Sequence, residues 1–210
     1  MPIKSIKIPK KGEFLAEFVG IMLGDGNIYC SKKKGVYQIK VTNNSETDKE
    51  YLLNYVRPLA RKLFGIEGTI SFDKNRKGVN LRIAGIELFR FLLSIGLVEG
   101  DKIINQVKMP AWVKENKKFL IACLRGLFDT DGTIFQANKI KYPKRLTIGF
   151  KNNNKTLLFD VRDSLISLGF HPTNTKRNAI FLCRKDEIKL FMKRIGFSNN
   201  KHSQKYYNNL

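Results

Sequence analysis

Apolar residues crowd into two stretches of helical length, 14–24 and 116–130, and each stops at Asp-Gly, where glycine can take the left-handed closing conformation. In Tyr37–Thr42 and Arg145–Lys151 apolar side chains alternate with polar ones, the pattern of a sheet with one dry and one wet face. Two strands are therefore predicted after each apolar helix. A helix follows over about 46–64 and 153–168, then a hairpin near 68–83 and 172–183, turned through Asp73–Gly78 in one case and Lys176–Asn178 in the other. Each series ends in a helix, about 84–95 and 185–195. The fold class predicted is α+β, with two pseudo-symmetric αββαββα repeats and antiparallel sheets.

The repetition extends to the residues themselves. Phe18-Val-Gly-Ile-Met-Leu-Gly-Asp-Gly26 lies against Leu124-Arg-Gly-Leu-Phe-Asp-Thr-Asp-Gly132 without a gap. The first repeat is placed at 1–98, a linker rich in turn and charge signals at 99–114, the second repeat at 115–197 and a C-terminal tail at 198–210. Within the apolar helices small residues recur every fourth position: Ala16, Gly20 and Gly24, then Ala122, Gly126 and Thr130. Glycine inside a helix costs about 1 kcal/mol against alanine, and close approach of a second backbone is the usual reason to keep it. The two helices are expected to pack along these faces.

Parallel packing would bring Asp25 and Asp131 side by side at two helix C-termini. There each carboxylate meets the negative end of a helix dipole and the charge of its twin. A hard divalent cation would relieve both, taking carboxylate oxygens together with the carbonyls of Gly24 and Thr130. A single Asp-Gly is commonly no more than a helix stop. Two at equivalent positions favour a metal site. Asp129, which has only Leu23 opposite it in the first repeat, is read as a structural acid.

Charge sharpens the picture. With 39 Lys and Arg against 18 Asp and Glu the formal net charge is +21, spread through both repeats, so the expected partner is a polyanion, nucleic acid before membrane. Cys30, Cys123 and Cys183 lie far apart and only two histidines are present, which argues against structural zinc. No apolar run is long enough to span a bilayer and the lysines at the N-terminus precede none, so a soluble intracellular protein is expected, in a prokaryotic cytoplasm or an organelle.

Phe18–Gly26 and Leu124–Gly132 resemble the paired LAGLIDADG motifs of homing endonucleases, and the element order agrees from about 14 to 197. Two motifs in one chain resemble the monomeric, pseudo-symmetric members. The resemblance implies a saddle of two four-stranded sheets on double-stranded DNA, with a long asymmetric target and the motif helices at the centre. It also implies metal-dependent hydrolysis of one phosphodiester per strand, leaving 3′ overhangs. Asp25 and Asp131 then fall on the metal-binding acids, with Gly24 and Thr130 as backbone ligands, Mg²⁺ as the cofactor and Mn²⁺ or Ca²⁺ able to replace it in binding. Lys151 is the candidate charge-stabilising cation, because Thr42-Asn43-Asn44 offers amides at the corresponding place. The DNA-reading positions are Tyr29, Gln38, Lys40, Thr42, Asn43, Asn80 and Arg82 in the first repeat and Arg145, Thr147, Lys151, Asn152, Lys176 and Arg177 in the second, with Lys32, Lys33 and Lys34 on phosphates. The competing expectation is a nuclease-inactive nucleic-acid-binding protein of the same fold, an RNA-splicing maturase or a transcription factor. A basic ribosome-associated protein would explain the charge but not the paired acids, and two repeats leave no room for a protein-splicing domain.

Overall fold

The structure is a computed structural model that describes residues 5–73, 76–137, 140, 145–173 and 177–209. The chain begins with helix α1 (Glu13–Gly24), strands β1 (Gly26–Ser31) and β2 (Val36–Asn44), and a long helix that starts as α2 (Lys49–Tyr51), widens into a π turn over Leu52–Val56 and continues as α3 (Arg57–Phe64). Strands β3 (Thr69–Phe72) and β4 (Gly78–Ala84) and helix α4 (Ile86–Ser94) complete the first repeat. After a short α5 (Ala111–Lys114), the second repeat runs through α6 (Lys117–Thr130), β5 (Gly132–Gln136), β6 (Leu146–Lys151), α7 (Lys155–Ser167), β7 (Ala179–Leu182) and α8 (Lys185–Arg194), and helix α9 (Asn200–Tyr207) follows. Asn116, Asn154 and Asn199 cap α6, α7 and α9, each accepting from backbone N–H groups of the first turn.

Both sheets are antiparallel, ordered β1-β2-β4-β3 and β5-β6-β7. Period-two alternation does what the sequence pattern requires: Ile39 and Val41, and Ile148 and Phe150, turn into the core beneath the helices. Phe18 meets Phe64 edge to face in the first repeat, and Phe128 sits against Phe150 and Phe191 in the second. Among the described residues the second sheet has three strands rather than the expected four. At the edge of β7, Thr173 N–H donates to Phe181 O at 2.9 Å and Thr173 Oγ1 accepts from Phe181 N at 3.0 Å.

α1 and α6 form the centre. A β-carbon at Gly20 would overlap the Cys123 carbonyl, one at Gly126 the Glu17 carbonyl, and one at Gly24 the Thr130 side chain. The first two contacts mirror one another about the crossing point of Gly20 and Gly126, and Gly24 meets Thr130 one turn further towards the C-terminus on both helices, so the helices lie parallel and their C-termini coincide.

The segment expected to be a tail is instead a docked helix, α9. A buried polar network fastens it. Asp129 accepts from Asn199 N at 2.9 Å and Ser198 N at 3.2 Å, Asn199 Nδ2 donates to Asp48 at 2.7 Å, and Glu17 accepts from Tyr55 Oη at 2.6 Å, Ser198 Oγ at 2.7 Å and Arg125 at 3.2 Å. Burial holds the Asp129 carboxyl well above the usual carboxylate range, at about 8, with Glu17 pushing the same way against the two backbone N–H donors. Among the described residues no helix is long and apolar enough to cross a membrane.

Candidate functional site

Asp25 and Asp131 are the C-caps of α1 and α6, their backbone N–H groups donating to Ile21 O and Leu127 O. Because the helices end together, a β-carbon at Gly24 would stand 3.4 Å from Asp131 Oδ2. Each carboxylate has an amide partner from the end of the neighbouring second strand. Asn43 Nδ2 donates to Asp25 Oδ2 at 2.6 Å and Asn152 Nδ2 to Asp131 Oδ2 at 2.8 Å. The backbone repeats the symmetry, Thr42 N–H donating to Asp25 O and Lys151 N–H to Asp131 O.

Removal from water and the charge of Asp131 push the Asp25 carboxyl up to about 7, against a pull down from Lys102. Asp131 is raised as well, first by burial, with Lys102 and the Asn152 amide acting against it. The cation between them comes from the connection joining the repeats: Lys102 Nζ donates to Leu23 O at 3.0 Å and, more closely, to Gly24 O. Burial lowers the pKa of Lys102, while Asp131 and Asp25 hold it up. Sequence reasoning missed Lys102, since one lysine in a linker of a lysine-rich chain carries no periodic or motif signal. Lys151, chosen instead, is exposed at the end of β6, and only its backbone reaches Asp131.

The strand-face residues divide. Tyr29 and Arg82 are exposed and Gln38, Lys40 and Thr42 partly so, all on the face of the first sheet away from the core. Lys32, Lys33 and Lys34 form an exposed 3₁₀ turn closed by Gly35 at φ 61°. Asn80 lies on the same face but is buried, because Thr42 Oγ1 donates to its Oδ1 at 2.8 Å and its Nδ2 donates to Asp73 at 3.2 Å. Asn43 is buried and directed to Asp25 rather than outward, and Asn152 likewise serves Asp131. In the second sheet Arg145 and Arg177 are exposed, Thr147 is buried beside Phe135, and Lys176 lies outside the described residues. Phe135 and Phe181, which no polar pattern singles out, meet on that face.

Residues 118–196 match the family model of the LAGLIDADG-like domain. The fold agrees over nearly the whole chain with that of the homing endonuclease I-DmoI, solved with DNA and Mn, at a TM-score of 0.59 and 22% identity over 88% of this chain and 96% of that one. The second half of the chain thus matches a LAGLIDADG-like domain, and the chain as a whole has the fold of that endonuclease. Full-length DUF199/WhiA from Thermatoga maritima has a similar fold, with a TM-score of 0.56 and 17% identity over 96% of this chain and 61% of that one. In sequence, the chain is 24% identical over 216 residues to the tRNA-splicing ligase RtcB of Methanopyrus kandleri and 26% identical over 189 residues to the DNA-directed RNA polymerase subunit Rpo1C of Methanocaldococcus jannaschii. These matches take in 90% and 88% of this chain but only 21% and 19% of those proteins, so the chain spans about a fifth of their length. The two segments that resemble LAGLIDADG motifs are the facing helices α1 and α6, of which α6 lies within the matched domain, and Asp25 and Asp131 stand at their ends.

Proposed function

We propose that the protein is a site-specific double-strand DNA endonuclease, of the homing type, that hydrolyses one phosphodiester in each strand with divalent metal and leaves 3′ overhangs. The observation that carries this reading is the pair of carboxylates brought together at two parallel helix ends, each held by an asparagine. Nothing in folding stability recommends such a pair.

The donors suit a hard cation. Asp25 and Asp131 supply carboxylate oxygens, the helix ends supply carbonyls including Thr130, and Asn43 Oδ1 is buried without a partner beside Asp25, where coordinated water could donate to it. Among the described residues no three His, Cys, Asp or Glu side chains cluster for metal binding, and Mg²⁺ characteristically takes one or two carboxylates, leaving its other positions to phosphate and water. Bound there with Asp25 and Asp131, such ions would polarise the scissile phosphate and lower the pKa of an attacking water. The chain's own contribution is positional. Asn43 and Asn152 fix the carboxylate orientations, and Lys102 places an ammonium beside both acids, where negative charge builds on the phosphate. We assign the charge-stabilising role to Lys102 in place of Lys151.

The net charge of +21 and the basic outer face of the first sheet support a duplex as the partner. Segments of similar sequence in proteins as unlike in name as an RNA ligase and an RNA polymerase subunit support a self-propagating module rather than a part of either host's chemistry. The test is incubation with Mg²⁺ and the chain's own coding locus lacking the inserted reading frame. A double-strand cut at one site is expected, lost in Asp25→Asn and Asp131→Asn while DNA binding persists. Tight duplex binding with no cut in the wild type would instead favour the nuclease-inactive reading.

A further inference from the structure

The outer faces of the two sheets are not chemically alike, although their registers correspond. Tyr29 stands opposite Gln38 as Phe135 stands opposite Thr147, and Asn27 opposite Lys40 as Thr133 opposite Gly149. In the next ladder Lys40 faces Arg82 and Thr42 faces Asn80, where Gly149 faces Phe181 and Lys151 faces Ala179. Position for position, Lys40 is replaced by Gly149, Arg82 by Phe181, Gln38 by Thr147 and Asn80 by Ala179. Charge is gained instead at Lys151, in place of Thr42, and at the strand's entry, where Arg145 takes the place of Val36.

The second face is built as an aromatic floor. Phe135 and Phe181 meet edge to face with centroids 6.2 Å apart across Gly149. A β-carbon on Gly149 would lie 3.0 Å from the Phe181 ring and 3.4 Å from that of Phe135, so glycine makes the room in which both rings lie down. Phe135 is 37% exposed and Phe181 partly so. Apolar rings left on the outer face of a highly charged protein call for an apolar partner, and the major groove offers a single such group, the C5-methyl of thymine.

We propose that the second sheet specifies its half-site by contact of Phe135 and Phe181 with thymine methyl groups, whereas the first sheet specifies its own through the hydrogen-bonding side chains Gln38, Lys40 and Arg82. This inference rests on the reading of the protein as a duplex-binding enzyme. It gives the target a chemical asymmetry that follows from the replacement of cations by rings.

The experiment selects bound duplexes from randomised DNA with the full chain in Ca²⁺, then replaces thymidine by deoxyuridine in each half-site of the selected duplex, removing nothing but methyl groups. One half-site is expected to be rich in thymine and to lose affinity about fourfold per contacted methyl, the factor equivalent to one buried methylene. The other should be indifferent. Phe181→Ala should remove part of the uracil penalty in the sensitive half-site and the double variant Phe135→Ala, Phe181→Ala all of it, and Phe181→Arg should turn its preference towards guanine. Equal penalties in both half-sites, no penalty in either, or a full penalty that persists in the double variant would each overturn the proposal while leaving duplex binding intact. Absence of any duplex binding would overturn it together with the functional reading beneath it.

Discussion

Replacing Asp25 by asparagine should stabilise the metal-free protein, by an amount that grows with pH. The carboxyl titrates at 3.8 when unperturbed and at about 7 in the folded chain, displaced by burial and by Asp131. A folded-state pKa above the unfolded one means that the native state binds the extra proton. Stability from this group is therefore complete below pH 3.8 and is lost as pH rises through about 7. One pKa unit corresponds to about 1.4 kcal/mol, so the displacement of roughly three units makes the ionised pair a burden of about 4 kcal/mol once the pH exceeds 7. Asparagine has the same shape, keeps an oxygen to accept from Asn43 Nδ2 and carries no charge to expel. The difference in unfolding free energy between Asp25→Asn and wild type should be about 0.5 kcal/mol at pH 4, about 1.5 kcal/mol at pH 5 and level at about 4 kcal/mol by pH 8. Urea unfolding in a chelator at each pH measures it. A difference that stays flat from pH 5 to 8 would refute the electrostatic account of the pair.

Gly126→Ala drives a β-carbon into the Glu17 carbonyl, a backbone atom of α1 that cannot rotate away, and should cost about 3 kcal/mol, a fall of several degrees in the thermal midpoint. Gly12→Ala, whose β-carbon meets only the Lys10 carbonyl at 3.9 Å, should leave the midpoint nearly unchanged in the same scan. Lys102→Gln should lower the cleavage rate at least tenfold in single-turnover assays and leave target affinity in Ca²⁺ within a few fold; equal losses in both would place Lys102 in binding instead. Asp129→Ala strands the Ser198 and Asn199 N–H groups that the carboxylate now accepts, at a cost of about 3 kcal/mol, and limited proteolysis should then remove α9 first.

What the sequence discloses is whatever repeats. The helix pairs, the strand alternation and the two Asp-Gly stops each occur twice, and so do the small residues that let α1 and α6 touch; those features are the ones that position Asp25 beside Asp131. What escapes is what happens once. Lys102 reaches the site from a linker that no second copy checks, and α9 has hardly any apolar periodicity, being held by the Asn199 cap, by Asp129 and by the buried rings of His202 and Tyr206. Asn80 and Thr147 illustrate a different limit. Alternation assigns them correctly to the outer face, but it does not register that a neighbour across the ladder, Thr42 in one case and Phe135 in the other, covers them. The asymmetry of the two sheets has the same origin. A duplication fixes register and helix contact for both halves, because those depend on backbone geometry, while each outer face, on the proposed reading, answers to whichever stretch of duplex lies against it and is free to diverge. Symmetry in this chain therefore marks what holds Asp25 against Asp131, and departures from symmetry mark where, on the proposed reading, one half-site is told from the other.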